Sequence, residues 1–328
     1  MTSHGNTSDL NQTLRSCTEL QTSASLVFMV LHSFLFVMGL GLNIFSLRVH
    51  FCSGFQQSST VSVYLKNLAV ADFLLSLSLP IRIAHYALSH AHSHAPLVHW
   101  FYCSVGATFF YLNMYASILF MGHIAANRYL KILRPLASHR LQTVRGSWLV
   151  SGLTWVLLWV FAAVYMSVSL LGSRSQAPRH SISCDATHSP QVALLYRSLH
   201  VLLATLFFCV LVALLFFYSS ISRRLSAARG LQPQCSSSRK LQRAQKNMLL
   251  LWVVFSVCFV PYHVVRLPFA LQGRRCSPVL YFLKELSVLL SVLNVCLDPL
   301  IYLLFSQNYR SQLGLDRFLT TTTTTAIT

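Results

Sequence analysis

Seven long apolar runs separated by short polar loops constrain this 328-residue chain more than anything else in it. They fall near residues 24–49, 61–88, 100–133, 145–171, 192–222, 246–271 and 279–305. A run of about twenty apolar residues crosses a bilayer as a helix. In lipid only helices and closed barrels satisfy every backbone polar group. The expected fold is an all-α membrane protein, a seven-transmembrane helix bundle whose two ends lie on opposite sides. Charged residues are only 10% of the chain, against about 25% in a soluble domain. The runs span 24–305, leaving a polar tail at 1–23, a short C-terminal segment at 306–328, and no length for a second folded domain.

Lys and Arg number 25 against 7 acids, a formal charge of +18. In a soluble protein that surplus points to nucleic acid. Here it gathers at helix ends, where anionic lipid is the partner, so no nucleic acid is expected. Arg48, Lys131, Arg134, Arg140, Arg145, Arg223, Arg224, Arg229, Arg239, Lys240, Arg243 and Lys246 lie in the first, third and fifth loops. Fewer lie opposite: Arg15, Arg174, Arg179, Arg274 and Arg275. The positive-inside rule therefore puts the N-terminus outside. No cleavable signal is expected, because the first run is too long for one. Asn6-Thr7-Ser8 and Asn11-Gln12-Thr13 are glycosylation sequons on that outer tail, with Asn6 and Asn11 as acceptors. Cys17, Cys103, Cys184 and Cys276 also fall outside, an even number in an oxidising compartment, which predicts two disulfides. Cys52, Cys209, Cys235, Cys258 and Cys296 read as free thiols.

The loop from Arg223 to Lys246 holds Gly230, Pro233 and three consecutive serines from Ser236, and reads as a flexible basic linker. Phe305, Tyr309, Leu313 and Phe318 keep roughly helical spacing, which predicts a short amphipathic eighth helix on the inner surface. Thr320–Thr325 is a low-complexity tail, open to phosphorylation.

Four polar residues are stranded in apolar runs: Asn43, Asp72, Asn294 and Asp298. A carboxylate in lipid costs several kcal/mol unless paired or wetted. Together these residues imply a shared polar centre, either a structural hydrogen-bond knot or a site for a monovalent cation such as sodium, with Ser117 as a further oxygen donor. Pro80, Pro261 and Pro299 interrupt three runs and can kink them.

The motifs Gly41-Leu42-Asn43, Leu68-Ala69-Val70-Ala71-Asp72, Cys103, Asn127-Arg128-Tyr129, Trp155, Cys258-Phe259-Val260-Pro261-Tyr262, and Asn294 with Asp298-Pro299-Leu300-Ile301-Tyr302 occur in order on six of the seven runs. They resemble the rhodopsin-like (class A) G-protein-coupled receptors, over roughly residues 20–318. The resemblance implies a plasma-membrane receptor rather than an enzyme. Its implied partners are a heterotrimeric G protein of the inhibitory class, arrestin, membrane lipid and a small-molecule agonist. It implies that Arg128 reaches the G protein when the sixth helix swings out, and that Tyr218 and Tyr302 support that open state. Phe255 and Phe259 resemble the packing switch beneath the ligand, and Pro135-Leu136 resembles a G-protein contact. Two features depart from the family. Val210 stands near the usual proline of the fifth run. Asn127 stands where most relatives have Asp, and a neutral amide holds Arg128 less tightly than a charge-assisted bond would.

The stretch below Cys103, from Thr108 to Tyr115, carries no acid, which argues against a cationic amine ligand. Cations line the outer helix ends instead: Arg82, Arg197, Arg266 and Lys284, with His85, His200 and His263 as further donors and Glu285 as the nearby acid. Snorkelling to headgroups is the bland reading of Arg82 and Arg266, but both sit beside kink prolines. Arg matches phosphate bidentately. The stretch from Cys258 through His263 to Arg266, and Lys284-Glu285, resemble the purinergic nucleotide receptor group, in its ADP and UDP-sugar branch. That resemblance implies that His263, Arg266 and Lys284 grip phosphate while Tyr111 lines the pocket, with Tyr115 nearby. The stretch from Val105 to Tyr115 is equally close to the related lysophosphatidylserine receptor, so a lysophospholipid is the second ligand class. Both classes are phosphate-bearing anions, and Lys284 favours the nucleotide. A transporter is the distant alternative, without the repeated halves usual there. His90, His92 and His94 alternate in a loop as zinc ligands could, although loop histidines are more often solvated.

Within the resemblance the expected disulfides are Cys103–Cys184, across the pocket mouth, and Cys17–Cys276, tying the tail to the seventh helix. Peptide mapping without reduction should recover both cross-linked pairs; free Cys17 and Cys276 thiols would refute the second.

Overall fold

An apolar run in lipid has no solvent to satisfy its amides, so each run coils into a helix that satisfies its own. The computed structural model describes residues 6–52, 59–91, 96–133, 142–172, 190–231, 236–272 and 278–313. Its helices are α1 (Asn6–Cys52), α2 (Thr60–His90), α3 (Pro96–Phe101), a π-helical turn (Tyr102–Gly106), α4 (Ala107–Leu133), α5 (Val144–Gly172), α6 (Pro190–Leu231), α7 (Ser236–Gln272), α8 (Pro278–Val292), α9 (Asn294–Phe305) and α10 (Gln307–Gln312). Seven spans are long and apolar enough to cross a membrane: Ala24–Cys52, Thr60–Leu88, Tyr102–Leu133, Val144–Ser167, Arg197–Ala228, Leu241–Pro268 and Val279–Phe305. The seventh is α8 and α9, joined at Leu293. One end of the bundle carries Arg82, Tyr102 and Glu285 (the Cys103 end); the other carries Arg128 and Phe305 (the Arg128 end).

Two expectations change. The linker expected from Arg223 to Lys246 is mostly helix, since α6 runs to Leu231 and α7 starts at Ser236. Its Leu, Ala, Arg, Lys and Gln residues are strong helix formers, and Gln245 Nε2 donates to Ser222 Oγ across the two helices at 2.8 Å. At the other terminus, α1 already begins at Asn6, inside the segment read as a tail. The eighth helix is present as α10, with Ser306 as its N-cap accepting from the Tyr309 amide. Tyr309 is buried against Phe45, with ring centroids 5.5 Å apart.

The core is mostly apolar, built around residues such as Leu68, Phe120 and Phe255, with a polar cluster enclosed in it. Polar Asp72, Asn113, Ser117, Asn294 and Asp298 are fully buried, while Leu149, Leu153, Val156 and Val160 of α5 are exposed. Those outward apolar faces suit lipid. Trp155 Nε1 donates to Asn67 Oδ1 at 2.9 Å and ties α5 to α2. No proline interrupts α6; Val210, in that place, lies so near α4 that a Cβ on Gly122 would come within 3.1 Å of its Cγ1.

Pro299 explains a close helix contact. Proline has no amide hydrogen, so the carbonyl four residues earlier loses its helical donor. That carbonyl belongs to Val295, and Asn43 Nδ2 supplies the missing bond at 3.0 Å while also donating to Gly39 O at 2.9 Å. Close approach of α1 to α9 requires Gly39: a Cβ there would lie 2.5 Å from Val295 Cγ2 and 3.1 Å from Ser76 Oγ. A Cβ on Gly41 meets nothing within 4 Å. Gly39→Ala should therefore overpack this junction, at a cost of about 1–3 kcal/mol, and lower the melting temperature of the detergent-solubilised protein. Gly41→Ala is the control and should leave it unchanged; equal melting of the two variants would refute the contact.

Candidate ligand and coupling sites

At the Cys103 end, α2 turns Arg82 inward beside Pro80. Arg82 is 3% exposed, and its Nη1 lies 3.5 Å from Glu285 Oε2 and 3.3 Å from the Tyr86 hydroxyl. Glu285 also accepts from the Tyr86 hydroxyl and pairs with Lys284. Burying these charges together avoids the cost of either alone. The guanidinium of Arg82 rests over the Phe110 and Tyr102 rings, at 4.6 and 5.6 Å from their centroids. Tyr102 in turn stacks on His85 at 4.1 Å, 8° from parallel. Tyr102 stands in the π-helical turn that opens the third span and contains Cys103.

Arg266 is 8% exposed and lies over the Tyr111 ring at 6.0 Å. Tyr111 meets His200 and Tyr262 at 5.9 and 6.0 Å, and stands within electrostatic reach of Arg266, Arg82 and Lys284. His263 Nδ1 bonds the Phe259 carbonyl at 2.8 Å, so Nδ1 carries the hydrogen and Nε2 accepts from the Tyr115 hydroxyl at 3.0 Å. The imidazole stacks on Phe207 at 3.7 Å, and Phe207 stacks on Phe255 at 5.3 Å. Phe255 meets Phe259 edge-on at 5.5 Å. A continuous aromatic path thus runs from Tyr115 and His263 to the phenylalanines above the polar centre.

The polar centre forms where the sequence places it. Asp72 Oδ1 accepts from Ser117 Oγ at 2.8 Å and Asn294 Nδ2 at 3.3 Å; Asp72 Oδ2 accepts from the Tyr302 hydroxyl at 2.8 Å. Asn294 Nδ2 also donates to Asp298 Oδ2 at 3.0 Å. Asp298 Oδ1 and Asn294 Oδ1 are buried with no hydrogen-bond partner among the described residues. Two carboxylates with surplus acceptor oxygens fit a cation or a proton.

At the Arg128 end, Arg128 Nη2 donates to the Phe305 carbonyl at 3.3 Å. Tyr129 stacks on Phe217 at 4.6 Å, and Tyr218 is half-buried.

The other expected residues scatter. Arg197 is exposed. Cys103 is disulfide-bonded; Cys184, Cys276, Pro135 and Leu136 lie outside the described residues, as do the side chains of Asn6, Asn11 and Cys17. Cys52, Cys209, Cys258 and Cys296 are free, and Cys235 lies outside the described residues. His90 is exposed, and His92 and His94 lie outside the described residues. Sequence reasoning missed Tyr86, Tyr102 and Phe110. Tyr86 was within reach, being four residues after Arg82 on the same helix face; the two rings on α4 and its π turn carry no such signal.

This geometry has relatives. The family model described as 7 transmembrane receptor (rhodopsin family) matches residues 42–302. The purinoceptor 14 of Bos taurus is 33% identical, over 91% of this chain and 87% of the relative. The G-protein coupled receptor 87 of Mus musculus is 30% identical, over 88% and 79%. The purinoceptor 13 of Homo sapiens is 29% identical, over 88% and 80%. The match spans the polar centre, Arg128 and the Cys103 end alike, and the chain belongs to the rhodopsin family of G-protein-coupled receptors, in its purinoceptor-like group.

Proposed function

We propose that this multi-pass receptor works at the plasma membrane with its Cys103 end outside, and that a phosphate-bearing anion, a nucleotide or nucleotide sugar, activates it there. The observation that carries the reading is the burial of two guanidiniums, Arg82 and Arg266, on rings of one aromatic wall. A guanidinium at membrane depth is costly and faces the bundle interior for a purpose. Its planar fork suits a phosphate, and its face suits an aromatic ring. Two relatives are named purinoceptors, which favours a nucleotide over a lysophospholipid.

A phosphate in this end would meet Arg266, His263 and Lys284, while Tyr111 and Tyr115 line its base or sugar. Glu285 holds Arg82 and Lys284 in the meantime, so the ligand competes with an internal carboxylate. Only the difference in its affinity for two packings can shift the receptor between them. The stack His263, Phe207, Phe255 and Phe259 beside Pro261 would carry that difference to the polar centre. There Asp72, Ser117, Asn294 and Asp298 would hold a sodium ion, which would neutralise the paired carboxylates. At the inner end Arg128 would contact the G protein, of the inhibitory class.

The test is a panel of nucleotides, UDP-sugars and lysophospholipids, read by G-protein activation in transfected cells. A response confined to amines overturns the pocket; a response confined to lysophospholipids keeps the anion site and reassigns the ligand. For the agonist found, Arg266→Ala and Lys284→Ala should each weaken potency at unchanged surface expression. Truncating one partner of a desolvated charge pair costs about 2–5 kcal/mol. A change within about threefold, below about 1 kcal/mol, would exclude that residue from the phosphate contact.

A further inference from the structure

Arg128 directs its charge toward the seventh span rather than toward the residue before it. Asn127 Oδ1 is buried without a hydrogen-bond partner among the described residues. Arg128 Nη2 instead donates to the Phe305 carbonyl at 3.3 Å, and the guanidinium lies 4.9 Å from the centroid of the Phe305 ring. Phe305 is the last residue of α9. The last carbonyls of a helix have no donor of their own and form the negative end of its dipole. A second guanidinium uses the same helix end: Arg310 Nη1 donates to Leu303 O at 2.8 Å and to Leu304 O at 3.2 Å. The carboxyl end of α9 is thus a compact acceptor for cations, built from backbone alone.

We propose that Phe305 is a positioning residue that takes the place of the missing acid, holding Arg128 in the resting packing through its carbonyl and its ring. The residues just past this helix end are themselves held, since Tyr309 is buried and packs on Phe45. Displacing α4 from α9 breaks the carbonyl bond and the ring contact together, so the lock opens in one step. The inference rests on the assignment of Arg128 to the G-protein contact.

The test needs no ligand. Basal G-protein activation is read by energy transfer between labelled subunits, in cells matched for surface expression. Phe305→Leu and Phe305→Met both remove the ring. Each should raise basal activity about two- to fivefold, which is a cation–π contact of about 0.5–1 kcal/mol converted at about 1.4 kcal/mol per tenfold. Phe305→Tyr keeps the ring and should match the wild type. Asn127→Asp should lower basal activity by a larger factor on the Phe305→Leu background than on the wild type, because the acid and the ring hold the same guanidinium; equal factors on both backgrounds are what loss of mere packing would give. Unchanged basal activity in both ring-deleted variants, or equal factors for Asn127→Asp on the two backgrounds, overturns the inference. Arg128→Ala on the Phe305→Leu background separates the two claims. If it abolishes signalling, Arg128 keeps its role whatever Phe305 does; if signalling persists undiminished, the assignment of Arg128 itself fails.

Discussion

Pro299 has no amide hydrogen, and much of this bundle is arranged around the carbonyl it leaves behind. In water the Val295 oxygen would simply be hydrated. In lipid it needs a protein donor, and Asn43 provides it across 252 residues of sequence. That bond draws α1 against α9, which the missing side chain of Gly39 permits. On the same helix, Asn294 donates to Asp72 and Asp298, and Asp72 also accepts from Ser117 and Tyr302. The carbonyl that one proline leaves open thus joins α1 to α9 next to the polar centre. A helix that satisfied all its own carbonyls would have no such reason to recruit Asn43.

The two ends of the bundle solve one problem with different materials. The chain has 25 Lys and Arg but only 7 acids, so carboxylates are scarce partners for its cations. At the Cys103 end a single Glu285 serves both Arg82 and Lys284, and aromatic rings take the guanidinium faces. At the Arg128 end rings and backbone carbonyls do the work without an acid. A carboxylate shared by two cations leaves room for a further anion, which is what a ligand site needs. Carbonyls at a helix end offer only partial charge, a weaker hold than a carboxylate gives.

The relatives align with most of this chain. Their match covers both ends and the polar centre, so the chain is a receptor of the rhodopsin family whatever its ligand proves to be. Asn127 leaves Arg128 without a carboxylate beside it in the chain.

Seven spans, a short eighth helix and the polar centre were legible in the sequence. Hydropathy, helical spacing and stranded polar residues are properties of the chain in one dimension, and lipid admits few backbone solutions. Asp72, Asn294 and Asp298 could be grouped before their distances were known, because buried acids must find company. Partnerships at the bundle ends were not legible. Glu285 was visible as the nearby acid, but that it holds Arg82 and Lys284 beside Tyr86 depends on how α2 and α8 turn their faces. Carboxylates are what a sequence displays, and the lack of one at Asn127 suggests a loosely held Arg128. Its actual partner is a backbone carbonyl and a ring on Phe305, 177 residues away. Every residue carries such a carbonyl, so only the tertiary structure, by ending α9 beside α4, could decide which one Arg128 would use.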